Sequence, residues 1–144
     1  MARLSKRLLV AGCGFALVLA FGAARADVVV VVSVDSPVKT LTRQQLTDIY
    51  LGRTNRFPNG DTVVPIDQRD GTPAHAEFYS EYLGRSEAQI KAHWSKLIFT
   101  GRGQPPPSVP NGAAVVDAVS HNPHAIGYVD LSRVDGRLRV LSIE

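Results

Sequence analysis

The segment from Asp67 to Pro73 is the part of the sequence best suited to chemistry, because it leads from an apolar run through a glycine into a helix start. Thr72 followed by Pro73 is typical of a helix N-terminus, with threonine as the N-cap and proline at the first helical position. The first amide N–H groups of such a helix lack partners inside it, and Arg69 adds a guanidinium that suits phosphate or carboxylate. We therefore predict an oxyanion-binding site at Arg69, Asp70, Gly71 and Thr72. A second interpretation stays open, in which Thr72 only caps the helix, Gly71 makes the turn and Arg69 pairs with a neighbouring aspartate.

Other arrangements of reactive side chains give weaker signals. His121 and His124 form a close pair, but they lie in a loop with Asn122-Pro123, and two histidines without a third ligand are poor evidence for a metal site. No serine has the setting of a nucleophile elbow, and the glycines of Gly101-Arg102-Gly103 do not link a strand to a helix as a phosphate loop requires. The sequence therefore predicts a protein that is not an enzyme, with no catalytic residue, no metal site and no cofactor.

The first 26 residues have the pattern of a secretory signal. A basic segment, Met1–Arg7, precedes the apolar run Leu8–Gly22, and Ala24-Arg25-Ala26 has the small residues of a cleavage site. We expect cleavage after Ala26 and export of a soluble domain, residues 27–144, to the periplasm. The single cysteine, Cys13, stands in a sequence similar to a lipoprotein cleavage site, but cleavage there would leave a second apolar stretch at the front of the mature protein.

Loss of this signal changes the charge balance of the chain. The whole sequence has 16 Lys and Arg against 13 Asp and Glu, and four of the basic residues but none of the acidic ones lie in the signal. The mature domain is therefore nearly neutral, so its composition gives no indication of a nucleic-acid partner. It also has no cysteine, which excludes disulfides and thiolate metal sites.

Strand and helix signals alternate along the mature domain in an order that indicates an α/β fold with a mixed sheet. We predict strands over Val28–Val34, Thr62–Ile66, Ala125–Asp130 and Arg137–Ile143, and helices over Arg43–Leu51, from Thr72 to Gly84, from Ser86 to Phe99 and after Asn111. The unbroken apolar run at Val28–Val34 is typical of a central strand covered on both faces. Thr100–Pro110 is expected to be an exposed, proline-stiffened loop, and Asp135-Gly136 a turn between the last two strands.

Capping and packing signals refine the helices. Thr42 with Gln45, and Ser86 with Gln89, have the spacing of capping boxes. The helix after Ser86 is expected to bury one face, which comprises Ile90, Trp94, Leu97 and Ile98.

Four motifs spread over most of the mature domain form a specific combination. They are Leu41-Thr42-x-x-Gln45-Leu46-x-x-Ile49-Tyr50-x-Gly52, Arg69-Asp70-Gly71-Thr72 leading to Phe78, the segment from Trp94 to Gly101, and Ala125-Ile126-Gly127-Tyr128-Val129-Asp130. With them the chain resembles the periplasmic phosphate-binding proteins of ABC transporters, and most closely the short exported members that have one lobe. The resemblance implies a single lobe of a type II periplasmic-binding-protein fold, a mixed sheet flanked by helices. It also implies that Arg69, Gly71 and Thr72 belong to the family's Arg…Ser-Gly-Thr phosphate-gripping turn.

By this resemblance we expect a solute-binding module for phosphate or another small oxyanion, binding weakly or with a partner, with an ABC permease as one class of partner. Asp70 stands where the family has serine, and a carboxylate there would repel a dianion. Two alternatives stay open: an adaptor that binds another envelope protein through the same lobe surface, and a homodimer that pairs one lobe with another.

Overall fold

The structure is a computed structural model that describes residues 27–144, so the predicted signal, its cleavage site and Cys13 lie outside the described residues. In the described part, no helix is long and apolar enough to cross a membrane. Residues 27–144 form the strands β1 (Val28–Ser33), β2 (Thr40–Leu41), β3 (Val64–Pro65), β4 (Asp67–Gln68), β5 (Ser108–Val109), β6 (Ala125–Asp130), β7 (Leu138–Val140) and β8 (Ser142–Ile143). The same residues form the α-helices α1 (Arg43–Tyr50), α2 (Pro73–Phe78), α3 (Glu87–Phe99) and α4 (Gly112–Ser120).

A four-stranded mixed sheet in the order β3-β6-β1-β7 forms the centre of the fold. β1 runs antiparallel to both β6 and β7, whereas β3 pairs parallel with β6. Val30 and Val32 pack into one hydrophobic cluster, while Val31 between them packs into another. Alternate side chains of a strand point to opposite faces, so the unbroken valine run follows from the burial of both faces. The α/β class, the mixed sheet and the interior position of β1 are confirmed.

The predicted helix caps are also present. The Thr42 hydroxyl accepts from the Gln45 N–H at 3.1 Å while the Gln45 side chain accepts from the Thr42 N–H at 2.9 Å. Ser86 and Gln89 make the same reciprocal pair at 3.2 and 2.9 Å. The second capping box sets the start of α3, the helix that forms one side of the candidate site.

Only Val64–Pro65 of the predicted strand Thr62–Ile66 form a strand of the sheet. Three other segments differ from the sequence predictions. The helix that begins after Thr72 is α-helical only as far as Phe78, and Tyr79–Leu83 form a π-helical turn that ends at Gly84 with φ 64°. The predicted last strand is divided at Leu141 because β7 pairs with β1 whereas β8 pairs with β2. β6 and β7 do not pair with each other, since β1 lies between them.

The proline-rich segment Thr100–Pro110 is the third difference. It was predicted to be a loop, but Ser108–Val109 within it form the strand β5. β5 pairs parallel with β4, with Asp67 opposite Ser108. The Asp67 N–H donates to the Pro107 carbonyl at 2.9 Å, and the Arg69 N–H donates to the Val109 carbonyl at 3.1 Å. These bonds hold the prolines beside the predicted oxyanion turn.

Candidate functional site

A buried carboxylate lies at the base of the site, on the short strand β4. Asp67 Oδ2 accepts from the Tyr79 hydroxyl at 2.6 Å, and Oδ1 accepts from the Gln68 N–H at 2.8 Å and from the Tyr128 hydroxyl. Burial raises the pKa of Asp67, and the hydrogen bonds from the two tyrosines and the charge of His75 oppose that rise. Sequence analysis missed this cluster, and an aspartate directly after the apolar run Val63–Ile66 is the only signal that pointed to it.

His75 is buried among carboxylates from three parts of the chain, with 2% of its surface exposed. Its Nδ1 lies 2.9 Å from Glu87 Oε1, and its Nε2 lies 3.4 Å from Asp70 Oδ1 and 3.9 Å from Asp67 Oδ1. It thereby connects β4, the following turn and the first turn of α3. No local motif in the sequence pointed to His75 or Glu87, because these residues lie 12 positions apart and meet only in the folded chain.

Glu87 occupies the position that the sequence assigned to an external anion. Its Oε1 accepts from the Gly71 N–H at 3.2 Å as well as contacting His75. These contacts lower the pKa of Glu87, the Gly71 N–H first and the His75 hydrogen bond second. A carboxylate of the chain itself therefore lies where an oxyanion was predicted, and that carboxylate is Glu87 and not the neighbouring Asp70.

The four predicted site residues have different roles in the structure. The Thr72 hydroxyl accepts from the His75 N–H at 3.3 Å and donates to the Arg69 carbonyl at 3.0 Å, so it serves as the helix cap. Gly71 makes the turn with φ 82°, a conformation that favours glycine. The Asp70 side chain is 85% exposed and contacts only His75 among the ion pairs of residues 27–144.

The charge of Arg69 is not neutralised by a neighbouring aspartate. In the part of the chain that the structure describes, neither Arg69 nor Lys91 has a carboxylate oxygen within 4.0 Å. Both side chains line the same cleft, together with Asp70 and Glu87. The structure thus brings Arg69 and Asp70 into the cleft wall, while Gly71 and Thr72 act through their hydrogen bonds at its end.

The cleft has a volume of about 580 Å³ and lies between α3 and the proline-rich segment. Ile90 and Trp94 of α3 belong to both the cleft lining and the core, and Pro105 and Pro106 form the opposite side. The prediction that Ile98 faces the core is wrong, because it lines the cleft and is 56% exposed. Leu97, its neighbour in the last turn of α3, is partly buried and packs against the core instead.

The histidine pair His121 and His124 lies between α4 and β6. His121 and His124 are both exposed, and residues 27–144 contain no group of three or more His, Cys, Asp or Glu side chains arranged to hold a metal ion. The His121 ring instead lies 2.7 Å from the Asp117 carbonyl oxygen, at the end of α4.

No family model and no curated protein matches this chain. Solved structures do match it. An ABC-type phosphate transport receptor from Vibrio cholerae has a TM-score of 0.63 and 20% identity, over 81% of this chain and 45% of the receptor. PstS from Borrelia burgdorferi has a TM-score of 0.62 and 15% identity, over 81% of this chain and 47% of PstS. A Clostridium perfringens protein solved with bound phosphate has a TM-score of 0.62 and 22% identity, over 81% of this chain and 44% of that protein.

This chain therefore spans less than half the length of these proteins. At such identities the likeness shows the fold and leaves the ligand to be established from the site. The chain has the mixed α/β fold of one lobe of a periplasmic phosphate-binding protein.

Proposed function

We propose that this chain is a non-catalytic, periplasmic solute-binding module that binds a small oxyanion, with phosphate as the first candidate, beside the Arg69–Thr72 turn. One observation carries the proposal: the Gly71 N–H and His75 Nδ1 already hold a carboxylate oxygen, at 3.2 and 2.9 Å. Phosphate and sulfate oxygens accept from the same donors as carboxylate oxygens. The donors are therefore spaced for one oxyanion oxygen, and Glu87 Oε1 occupies that place.

The charges around the turn support binding of an anion once Glu87 moves aside. Glu87 is at the start of α3 and its side chain is 41% exposed, so it can rotate into solvent. Arg69 and Lys91 then supply positive charge to the same cleft. The Asp70 carboxylate disfavours binding of an anion, because two like charges 4 Å apart in water repel each other by about 1 kcal/mol.

The extent of the match bears on the expected strength of binding. Residues 27–144 correspond to less than half of the length of the phosphate-transport neighbours, so they supply only part of the surface that such a protein has. We expect weak binding by the isolated chain and stronger binding where a partner, such as an ABC permease, closes the cleft.

Calorimetric titration with phosphate and sulfate tests this proposal. Glu87→Ala removes the carboxylate that competes for the donors, and we expect it to raise oxyanion affinity at least tenfold, which corresponds to about 1.4 kcal/mol. Asp70→Ser should raise affinity less, since its carboxylate is exposed and does not contact the Gly71 N–H. Adding Arg69→Ala to Glu87→Ala should remove the gain.

Glu81→Ala is the matched control, because it removes the same charge from an exposed position that does not line this cleft. It should leave affinity unchanged. If folded Glu87→Ala binds neither phosphate nor sulfate at millimolar concentration, the oxyanion function is refuted.

An adaptor is the second candidate function, and the exposed end of α3 favours it. Phe99 is 92% exposed and Ile98 56% exposed, an unusual pair of large apolar side chains to leave in water. A photo-crosslinking residue at position 99 should then capture one discrete protein in the native cell envelope. The same residue at Arg137, an exposed position outside α3, should not capture it.

A further inference from the structure

The cleft is larger than an inorganic oxyanion requires. Its volume of about 580 Å³ lies within the range of about 300 to 1,000 Å³ that is usual for pockets of organic ligands. His75 and Glu87, which lie at the predicted oxyanion position, line only part of it. The remaining space can hold a group of a different chemical kind.

Most of that remaining space is bordered by apolar side chains. Ile90 and Trp94 form its floor, Ile98 stands at its far end, and Pro105 and Pro106 face them from the other side. The segment that follows these prolines is held in place because the Pro107 carbonyl accepts from the Asp67 N–H of β4 and the Val109 carbonyl accepts from the Arg69 N–H just after β4. A cleft lined by a tryptophan and two prolines suits a flat apolar group.

Charge is confined to the opposite end of the cleft. Glu87, Lys91 and Ser95 follow one another at intervals of four residues along α3, and Ile98 lies almost one turn beyond Ser95. From Lys91 to Ile98 the helix rises about 10 Å. The cleft is therefore amphipathic along its length, with Arg69 and Lys91 at one end and Ile98 at the other.

We propose that the ligand of this cleft is an organic oxyanion with a flat apolar body, such as an aryl phosphate or aryl carboxylate. Its charged group lies at Arg69 and Lys91 beside the Gly71 turn, and its ring lies between Trp94 and the two prolines. This inference rests on the proposed oxyanion function, and it adds the class of molecule that carries the oxyanion.

Titration of the Glu87→Ala variant with phenyl phosphate, inorganic phosphate and phenol tests the inference. Trp94 is the only tryptophan of the chain, so its fluorescence reports occupancy of the cleft, and calorimetry gives the affinities. We expect phenyl phosphate to bind at least tenfold more tightly than phosphate, because its ring is removed from water. Phenol should bind more weakly than phenyl phosphate by a similar factor, since it lacks the oxyanion.

Substitutions at the end of α3 separate the apolar contact from general effects. Ile98→Ser should bring the affinities for phenyl phosphate and inorganic phosphate closer together. The variant should fold, because Ile98 is half exposed. Phe99→Ser is the control, since Phe99 is the adjacent exposed residue and does not line the cleft. It should leave the ratio unchanged.

The possible results distinguish this inference from the proposed function. Equal affinities for phenyl phosphate and phosphate would overturn the inference and leave the oxyanion function in place. No binding of either compound would overturn both. Binding of phenol as tight as that of phenyl phosphate would also overturn the inference, because the cleft would then recognise only the ring.

Discussion

The hydroxyl of Tyr79 should stabilise the fold mainly because it donates to a buried charge, and replacing Tyr79 with phenylalanine tests this. Tyr79 is fully buried, and its hydroxyl donates to Asp67 Oδ2 at 2.6 Å. Phenylalanine keeps the packed ring and removes only the donor. A hydrogen bond to a charged group contributes about 1.5 to 3 kcal/mol, against about 0.5 to 1.5 kcal/mol for a neutral pair. We therefore expect Tyr79→Phe to lose about 2 kcal/mol of unfolding free energy near neutral pH.

The loss should depend on pH in a defined direction. Burial raises the pKa of Asp67 in the folded protein, so the folded state binds this proton more tightly than the unfolded state does. Removal of the Tyr79 donor raises the pKa further, because that hydrogen bond favours the ionised carboxylate. The loss of unfolding free energy in Tyr79→Phe should therefore grow as the pH rises through the folded-state pKa of Asp67. At lower pH this loss should become smaller.

Urea unfolding of both proteins, from about pH 4, near the ordinary pKa of aspartate, up to neutral pH, measures this deficit. Tyr82→Phe is the matched control, since the Tyr82 hydroxyl donates to the uncharged Val28 carbonyl at 2.8 Å. Tyr82→Phe should lose less unfolding free energy than Tyr79→Phe, and this loss should not vary with pH. Equal losses for the two variants at every pH would refute the assignment of Asp67 as a buried charge held by Tyr79.

Three further predictions concern packing, backbone conformation and export. Trp94→Ala should cost about 3 to 5 kcal/mol of unfolding free energy through the lost core contacts, and an unchanged melting temperature would contradict its placement in the core. Gly52→Ala should destabilise more than Gly60→Ala in thermal melts, because both glycines have positive φ but a Cβ at Gly52 would lie 2.9 Å from Trp94 while one at Gly60 meets nothing within 4 Å. Intact-mass measurement of the exported protein should give an N-terminus at Asp27, and a species that retains an acylated Cys13 would overturn the predicted soluble product.

Much of the local structure was predictable because its determinants lie a few residues apart. The capping boxes of α1 and α3 join residues three apart, so sequence spacing alone locates both helix starts. The valine run of β1 likewise indicated an interior strand, since only a strand buried on both faces tolerates it. The turn at Gly71 and the cap at Thr72 belong to the same class of local signal.

The contents of the candidate site depended on tertiary contacts that have no local signature. Asp67 meets Tyr128 across 61 residues, and Glu87 reaches the Gly71 N–H across 16. Sequence analysis therefore identified a turn that suits an anion but not the carboxylate that fills it. Ile98 shows the same limit, since helical periodicity placed it with Trp94, whereas in the folded chain it lines the cleft and is 56% exposed. Periodicity reports which side chains share a face of a helix, whereas burial of that face depends on what the folded chain places against it.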